Sequence, residues 1–199
     1  MADETPKDDA APKKAPAPAP AAAKKEEPAP PKPPSEPGQY GQFLKDHGVA
    51  SERLFDSCGI ETIALDGDQL HTALRLLKNS SEIKLDLLLT VTGVDSTETF
   101  DSVYHLWAYD HNNELVIKVR VPKAGVAADH LPCVPSISNI WPAANWHERE
   151  TYDLVGIRYS AHPYPRRILN PWDWDGHPLR KDYKQPVDGL NDKNPHSMR

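Results

Sequence analysis

The stretch "TFDSVYHLWAYDHNNELVIKVRVP", residues 99–122, decides the fold. In its second half every other residue is apolar, and this apolar set is Leu115, Ile117, Val119 and Val121. Alternation at a period of two is typical of a β-strand with one face covered. The "HNN" triplet separates this strand from the apolar and aromatic run before it, and Asn is a common turn residue. The stretch therefore predicts an antiparallel hairpin with one covered face.

The segments before the hairpin mix helices and strands. "GQYGQFLKDHG", residues 38–48, predicts a short helix ended by Gly48. "IETIAL", residues 60–65, predicts a strand, and "KLDLLLTVTGVDS", residues 84–96, predicts a strand of buried character. Because helices and strands do not alternate regularly, we expect an α+β fold, with a small mixed or antiparallel sheet and packed helices.

Between these strands, "DGDQLHTALRLLKNSS" predicts an amphipathic helix. Its apolar residues at helical spacing are Leu70, Ala73, Leu74 and Leu77. Asp66 or Asp68 is placed to cap the start of the helix.

Residues 1–37 are rich in Ala, Pro, Lys and Glu, and 11 of the 21 prolines of the chain lie there. Apart from alanine, this tail has almost nothing apolar to bury, so it predicts a disordered spacer or solubilising extension. The start "MADETPKDD" is acidic and lacks the apolar segment of a signal peptide. The longest apolar run, "LDLLLTV", has the length of a strand, which predicts a cytoplasmic protein without a membrane span.

Charge and cysteine content exclude several classes of function. The net charge of −6 argues against a nucleic-acid-binding protein. The two cysteines form no CxxC pair, which argues against a zinc ribbon and against an iron–sulfur cluster held by four thiolates. We interpret both cysteines as reduced thiols that form no disulfide.

After the hairpin, "AANWHERETYDLVG", residues 143–156, predicts a helix ended by Gly156, preceded by one helical turn around residues 137–141. Residues 157–199 show neither helical nor strand periodicity, so we expect a long extended C-terminal segment that lies on the domain or on another protein. This interpretation divides the chain into a tail (1–37), an α+β domain (38–156) and an extended partner-binding segment (157–199).

Two chemical hypotheses arise from this helix. His147-Glu148 begins like the HExxH motif of zinc proteases, but the fifth position is Thr151, so the motif fails. A metal-dependent hydrolase that uses His147, Glu148, His162 and His177 nevertheless remains an alternative.

The second hypothesis is a lattice of charges. Glu148, Glu150 and Asp153 interleave with apolar residues around the helix, which predicts a helix covered on more than one side. Arg149 and Asp153 have the i, i+4 spacing of an ion pair. Basic partners for the other carboxylates are available in the C-terminal segment, namely Arg166, Arg167, Arg180 and Lys181.

Two motifs carry a resemblance to a known family. "ERETYDLVGIRYSAHPYPRRIL", residues 148–169, and "WDGHPLRKDY", residues 174–183, resemble the characteristic motifs of the 30-kDa subunit (the C-type subunit) of respiratory Complex I, the NADH–quinone oxidoreductase. The resemblance covers about residues 40–185. Two positions depart from the family pattern, Ala161 in place of the usual glycine and the pair Tyr164-Pro165 after His162-Pro163.

The resemblance implies an accessory core subunit without catalytic residues, cofactor or metal of its own. Such a subunit sits in the hydrophilic arm, on the cytoplasmic side of the bacterial inner membrane, and associates with the membrane only through the complex. Its expected partners are the large quinone-site subunit (the D-type subunit) and the iron–sulfur subunits, and FMN and iron–sulfur clusters belong to partner subunits. A homologous subunit of a membrane-bound nickel–iron hydrogenase, or of a related quinone reductase, is the close alternative.

We predict structural or interface roles for the charged residues of the helix and of both motifs. They are Glu148, Arg149, Glu150, Asp153, His162, Arg166, Arg167, Trp174, Arg180, Lys181 and Asp182.

Overall fold

The computed structural model of the chain describes residues 36–54, 56, 58–125 and 130–184. The helices are α1 (Gln39–Asp46), α2 (Gly67–Asn79) and α3 (Ala144–Val155), with a 3-10 turn at Lys123–Gly125. The strands are β1 (Glu52–Arg53), β2 (Glu61–Leu65), β3 (Leu87–Asp95), β4 (Thr99–Ala108), β5 (Asn113–Pro122), β6 (Cys133–Pro135) and β7 (Arg158–Ser160).

Five strands form one mixed sheet in the order β1-β2-β5-β4-β3. Strands β2 and β5 run parallel and the other neighbours run antiparallel. β4 and β5 form the predicted hairpin, in which Tyr104 lies opposite Ile117. A second, two-stranded sheet pairs β6 with β7 in parallel. The predicted α+β fold is confirmed.

The core lies on one face of the hairpin, where Tyr104, Leu106, Leu115 and Ile117 are fully buried. The apolar stripe of α2 joins the same cluster, as its spacing predicts. Burying one such side chain contributes about 2 kcal/mol relative to leaving it in water. Asp66, one of the two residues predicted to cap α2, is its N-cap residue, but its side chain makes no capping hydrogen bond.

The expectation of a buried β3 is also wrong. Leu88 and Val91 are buried, whereas Leu87, Leu89 and Val94 are 47%, 43% and 41% exposed. β3 is an edge strand of the sheet, and its run of apolar residues reflects one covered face rather than two.

Helix α3 sits close against β3 because Gly93 has no side chain. A Cβ atom at this position would lie 2.5 Å from Thr151 Cγ2 and 3.2 Å from Ile157 Cδ1. The helix ends, as predicted, at Gly156, which adopts a left-handed φ of 77°. The predicted turn before it is present too, since the N–H groups of Ile140 and Trp141 both donate to the Ile137 carbonyl.

The core continues past Gly156. Ile157 and Tyr159 are buried in it, and β7 pairs with β6, so the predicted division at residue 156 runs through packed structure. The predicted tail up to residue 35 and the end of the C-terminal segment from residue 185 lie outside the described residues. Within the described ranges, no helix has both the length and the apolar character needed to cross a bilayer.

Candidate functional site: a charged helix and its covering segment

Helix α3 carries two fully buried carboxylates. Glu148 and Asp153 are both 0% exposed, while Glu150 between them is exposed. A spacing of five residues turns about 140° around a helix, so the buried acids lie on different sides. The prediction that α3 is covered on more than one side is confirmed.

Glu148 is held by neutral donors. Its carboxylate accepts hydrogen bonds from Ser136 Oγ at 2.6 Å and from the Ile137 N–H at 2.7 Å. Burial raises the pKa of Glu148 to about 7, although these two bonds oppose the rise. Within the described residues no arginine or lysine pairs with Glu148, so the predicted basic partner is wrong for this acid.

His162 lies next to Glu148, with its Nε2 atom 3.7 Å from Oε2 of the glutamate. Nε2 also lies 3.2 Å from the carbonyl oxygen of Asn145, and Nδ1 accepts the N–H of Tyr164 at 3.0 Å. A neutral ring protonated on Nε2 satisfies both bonds. Burial lowers the pKa of His162, which agrees with a neutral ring.

A cavity of about 250 Å³ opens above this pair. Its lining residues are Leu131, Glu148, Arg149, Tyr152, Arg158, Tyr159, His162 and Pro165.

Asp153 has the opposite surroundings. Its Oδ2 atom accepts the consecutive backbone N–H groups of Ile168, Leu169 and Asn170, at 3.0, 2.8 and 2.9 Å. Its Oδ1 atom accepts Arg167 Nη1 at 2.7 Å and the Asn170 side-chain amide at 2.9 Å. Burial alone would raise the pKa of Asp153, but these donors overcome it and lower the pKa to about 2. Asp153 therefore anchors the chain that follows.

Residues 164–184, which we call the covering segment, also close the C-terminal end of α3. The Leu179 N–H donates to the Leu154 carbonyl at 2.9 Å, and Arg180 Nε donates to the Val155 carbonyl at 2.7 Å. The last carbonyls of a helix have no partner within the helix and carry a partial negative charge. The guanidinium of Arg180 supplies these carbonyls with both a hydrogen-bond donor and a positive charge.

Two further bonds fasten the covering segment. His177 Nδ1 lies 3.0 Å from the Asp153 carbonyl oxygen, and the Lys181 N–H donates to Asp95 Oδ2 at 2.8 Å. Asp95 is in turn paired with Lys123. The described part of the C-terminal segment thus lies on its own domain, one of the two places that its lack of a core predicts.

The predicted ion pair between Arg149 and Asp153 is wrong, because the covering segment already occupies Asp153. Arg149 instead donates to the carbonyls of Arg166 and Arg167, at 2.9 and 3.3 Å. Its guanidinium lies 5.2 Å from the Trp146 ring centroid and 5.1 Å from that of Tyr164.

Arg166 lies over the same Tyr164 ring, 4.8 Å from its centroid. We call Trp146, Arg149, Tyr164 and Arg166 the arginine–aromatic array.

The remaining predicted residues are placed as follows. Trp174 is half-buried, and its Nε1 finds no hydrogen-bond partner among the described residues. Asp182 is exposed, as is the side chain of Lys181. Sequence reasoning missed Ser136 and Asn170, which hold the two buried acids. No local signal marks either residue, because its partner is distant in sequence.

The four residues of the metal-hydrolase hypothesis do not converge. His177 binds the Asp153 carbonyl near the end of α3, away from Glu148 and His162. Within the described ranges, no three His, Cys, Asp or Glu side chains form a group able to hold a metal ion.

Comparison with known families gives a match over most of this fold. The family described as "Respiratory-chain NADH dehydrogenase, 30 Kd subunit" matches residues 63–188, more than half of the chain. Among curated proteins, one of the C-type subunits of NADH-quinone oxidoreductase from Rhizobium meliloti is 37% identical over 154 residues, covering 76% of this chain and 80% of the relative.

Other relatives differ in length. The C-type subunit of NADH-quinone oxidoreductase from Roseiflexus sp. is 42% identical over 111 residues, covering 54% of this chain and 60% of that protein. A joint C/D-type subunit of the same enzyme, from Acidiphilium cryptum, is 36% identical over 160 residues, covering 75% of this chain but only 26% of its own length. The chain thus spans less than two thirds of either of these relatives.

Among solved structures, a chain of the membrane-bound sulfane sulfur reductase, an archaeal respiratory membrane complex, superposes with a TM-score of 0.56. It shares 25% identity and covers 72% of this chain and 82% of its own. The family match spans the hairpin, helix α3 and the whole covering segment. This chain belongs to the family of the 30-kDa subunit of respiratory-chain NADH dehydrogenase.

Proposed function

We propose that the chain is a structural subunit of the hydrophilic arm of a proton-translocating NADH–quinone oxidoreductase. It sits beside the large quinone-site subunit and near the iron–sulfur subunits, and it holds no redox centre of its own. FMN and the iron–sulfur clusters belong to the neighbours. The chain associates with the cytoplasmic side of the inner membrane through these partners alone.

The proposal rests on one observation, which is that the polar groups of α3 hold the covering segment. The buried carboxylate of Asp153 and the last carbonyls of the helix accept hydrogen bonds from the covering segment. The outer side of the segment carries large exposed side chains, with Trp172 at 91%, Leu179 at 62% and Leu169 at 61% exposure. Tryptophan and arginine are enriched at the centres of protein interfaces. A segment that is held on its domain and presents such residues favours a binding role over catalysis.

The relative from Acidiphilium cryptum supports the proposed neighbour. Its name joins the C-type and D-type subunits in one protein, and this chain matches only about a quarter of it. Two subunits that one chain can join must be able to lie close together in the assembly.

Affinity purification of the full chain from detergent-solubilised membranes tests the proposal. We expect the large quinone-site subunit, the flavin subunit and the iron–sulfur subunits to co-purify, and mass spectrometry identifies them. Recovery of the chain without any of these subunits would contradict the proposed function.

The structural similarity to a chain of the sulfane sulfur reductase favours a second candidate, a subunit of a related membrane-bound respiratory complex. The same purification separates the two candidates. A Complex I subunit brings a flavin-containing NADH-oxidising module with it, whereas a subunit of another membrane-bound respiratory complex is recovered with that complex's own subunits and without this module.

A further inference from the structure

The cavity beside α3 joins a buried polar floor to a basic rim. The side chains of Glu148 and His162 are 0% and 2% exposed and lie at the bottom. Arg158 is exposed, and Arg149 reaches the cavity from the arginine–aromatic array. The apolar walls are Leu131, Tyr152, Tyr159 and Pro165.

The rim of the cavity is positively charged, although the whole chain has a net charge of −6. Arg149 is bonded to carbonyl oxygens, which do not neutralise it. Arg158 forms no ion pair with any described residue. Of the nearby acids, Asp153 is already paired with Arg167, and Glu148 lies buried with a raised pKa. The rim therefore has two cations, Arg149 and Arg158, and neither is paired with a carboxylate of the described residues.

The size of the cavity and the exposed rings beside it favour a protein over a small molecule as its occupant. Its volume of about 250 Å³ falls below the roughly 300–1,000 Å³ of most small-molecule sites. Next to it, Trp146 and Tyr164 are 61% and 47% exposed. A small ligand in the cavity would leave both rings in water, whereas a protein surface would cover them together with the cavity.

We propose that the cavity receives an aspartate or glutamate side chain from an acidic segment of the neighbouring subunit. The carboxylate lies between Arg149 and Arg158, and the aliphatic part packs against Tyr152 and Pro165. This inference rests on the proposed function and deepens it by assigning the contact chemistry. A bidentate arginine–carboxylate contact in a partly desolvated cavity gives orientation as well as affinity.

Charge reversal at the rim tests the proposal in the assembled complex. We expect Arg158→Glu to lower the amount of the chain recovered with the complex by at least about tenfold, since it repels the incoming carboxylate. Arg75→Glu is the matched control, because Arg75 is exposed on α2, lines a different groove and undergoes the same change of charge. Recovery of Arg75→Glu should stay within about twofold of the unsubstituted chain.

A charge-preserving variant separates charge from folding. Arg158→Lys keeps the positive charge but loses the bidentate geometry, so its recovery should lie between that of Arg158→Glu and that of the unsubstituted chain. If Arg158→Lys and Arg158→Glu are lost equally, or if Arg158→Glu behaves like Arg75→Glu, the proposal is overturned.

Photo-crosslinking identifies the occupant. With p-benzoylphenylalanine in place of Pro165, we expect a crosslink to a partner peptide that contains Asp or Glu. Replacing that acidic residue with arginine should restore recovery of Arg158→Glu. A crosslink to lipid, to a second copy of this chain or to a peptide without a carboxylate overturns the proposal.

The proposed function and the proposed contact give different outcomes in these experiments. If the unsubstituted chain does not co-purify with the flavin and iron–sulfur subunits, the proposed function is wrong. If it co-purifies and the Arg158 variants have no specific effect, only the inferred contact is wrong.

Discussion

The two ends of helix α3 bury the same chemical group with opposite results. Glu148 near the start and Asp153 near the end are both fully buried. Glu148 receives two neutral donors and its pKa rises to about 7, whereas Asp153 receives an arginine and a row of N–H groups and its pKa falls to about 2. Burial alone thus does not determine the charge of a carboxylate, and the donors around it decide.

Among the substitutions at these acids, Asp153→Asn should lower the free energy of unfolding most. The neutral amide cannot form an ion pair with Arg167, and its NH2 group would face hydrogen-bond donors in either orientation, either Arg167 or the N–H groups of Ile168 and Leu169. Removing one member of a buried ion pair costs about 3–5 kcal/mol, so we expect the free energy of unfolding to fall by about that amount. Urea denaturation of the full chain measures it.

Glu150→Gln on the exposed side of α3 is the control and should change the free energy of unfolding by no more than about 0.5 kcal/mol. Hydrogen exchange should also rise across the covering segment in Asp153→Asn. Unchanged exchange there would show that Asp153 does not anchor the segment.

The pH dependence of stability tests the other end of the helix. A carboxyl group with a raised pKa in the folded state stabilises the fold fully below its unfolded pKa, 4.5 for Glu148, and this contribution is lost as pH rises toward 7. The shift corresponds to about 3 kcal/mol. We expect Glu148→Gln to remove this decline between pH 4.5 and 7. Urea unfolding at several pH values, with Glu150→Gln as the control, measures it, and equal slopes in both variants would contradict the prediction.

Asp153 predicts the opposite sign at lower pH. Its folded pKa lies below the ordinary value of 3.8, so its contribution is present above 3.8 and is lost as pH falls toward 2. Acid titration of unfolding should therefore show a loss of stability below about pH 4 that is absent in Asp153→Asn.

Gly156→Ala probes the joint between the helix and its covering segment. The new Cβ atom would lie 2.4 Å from His177 Cδ2 and 2.8 Å from Arg180 Nη2, at a left-handed φ of 77°. Overpacking of this kind costs about 1–3 kcal/mol, and the strained backbone adds to it. Thermal unfolding measures the loss. Gly48→Ala is the control, since Gly48 has a similar φ of 76° with open space around it, and an equal loss in both variants would place the cost in the backbone alone.

Arg149→Ala should destabilise the fold less than the substitutions at Asp153 and Glu148. Arg149 is half-buried and bonds two carbonyls rather than a carboxylate, so we expect a loss of about 1–2 kcal/mol. Arg166→Ala, which is exposed in the same array, should cost less. A loss of about 3 kcal/mol or more at Arg149 in urea unfolding would indicate a buried ion-pair role that this geometry does not give it.

Much of the fold is visible in local patterns. The hairpin, the stripe of α2 and the end of α3 at Gly156 follow from alternation, helical spacing and a residue that tolerates positive φ. The buried character expected of β3 failed because a run of apolar residues does not tell whether one or two faces are covered.

The contacts of the candidate site are only partly predicted by local sequence patterns. Interleaved charges on α3 indicate a covered helix, and the family motifs predict a role in an assembly. The i, i+4 spacing of Arg149 and Asp153 nevertheless suggested the wrong partner. The true partners of Asp153, among them Arg167 and Asn170, follow it by 14 and 17 residues in an irregular segment.

The sequence alone determined the three helices, the four longer strands β2 to β5, the α+β class and, through two motifs, the family, but it did not predict the short strands β1, β6 and β7. The features that it determined depend on interactions between near neighbours in the chain, which composition and spacing record. Only the tertiary structure decided which buried acid keeps its charge, where the covering segment lies and that two arginines remain at an open cavity. Those properties depend on hydrogen-bond donors and charges from positions that are distant in the sequence, and no spacing rule predicts which of them come into contact.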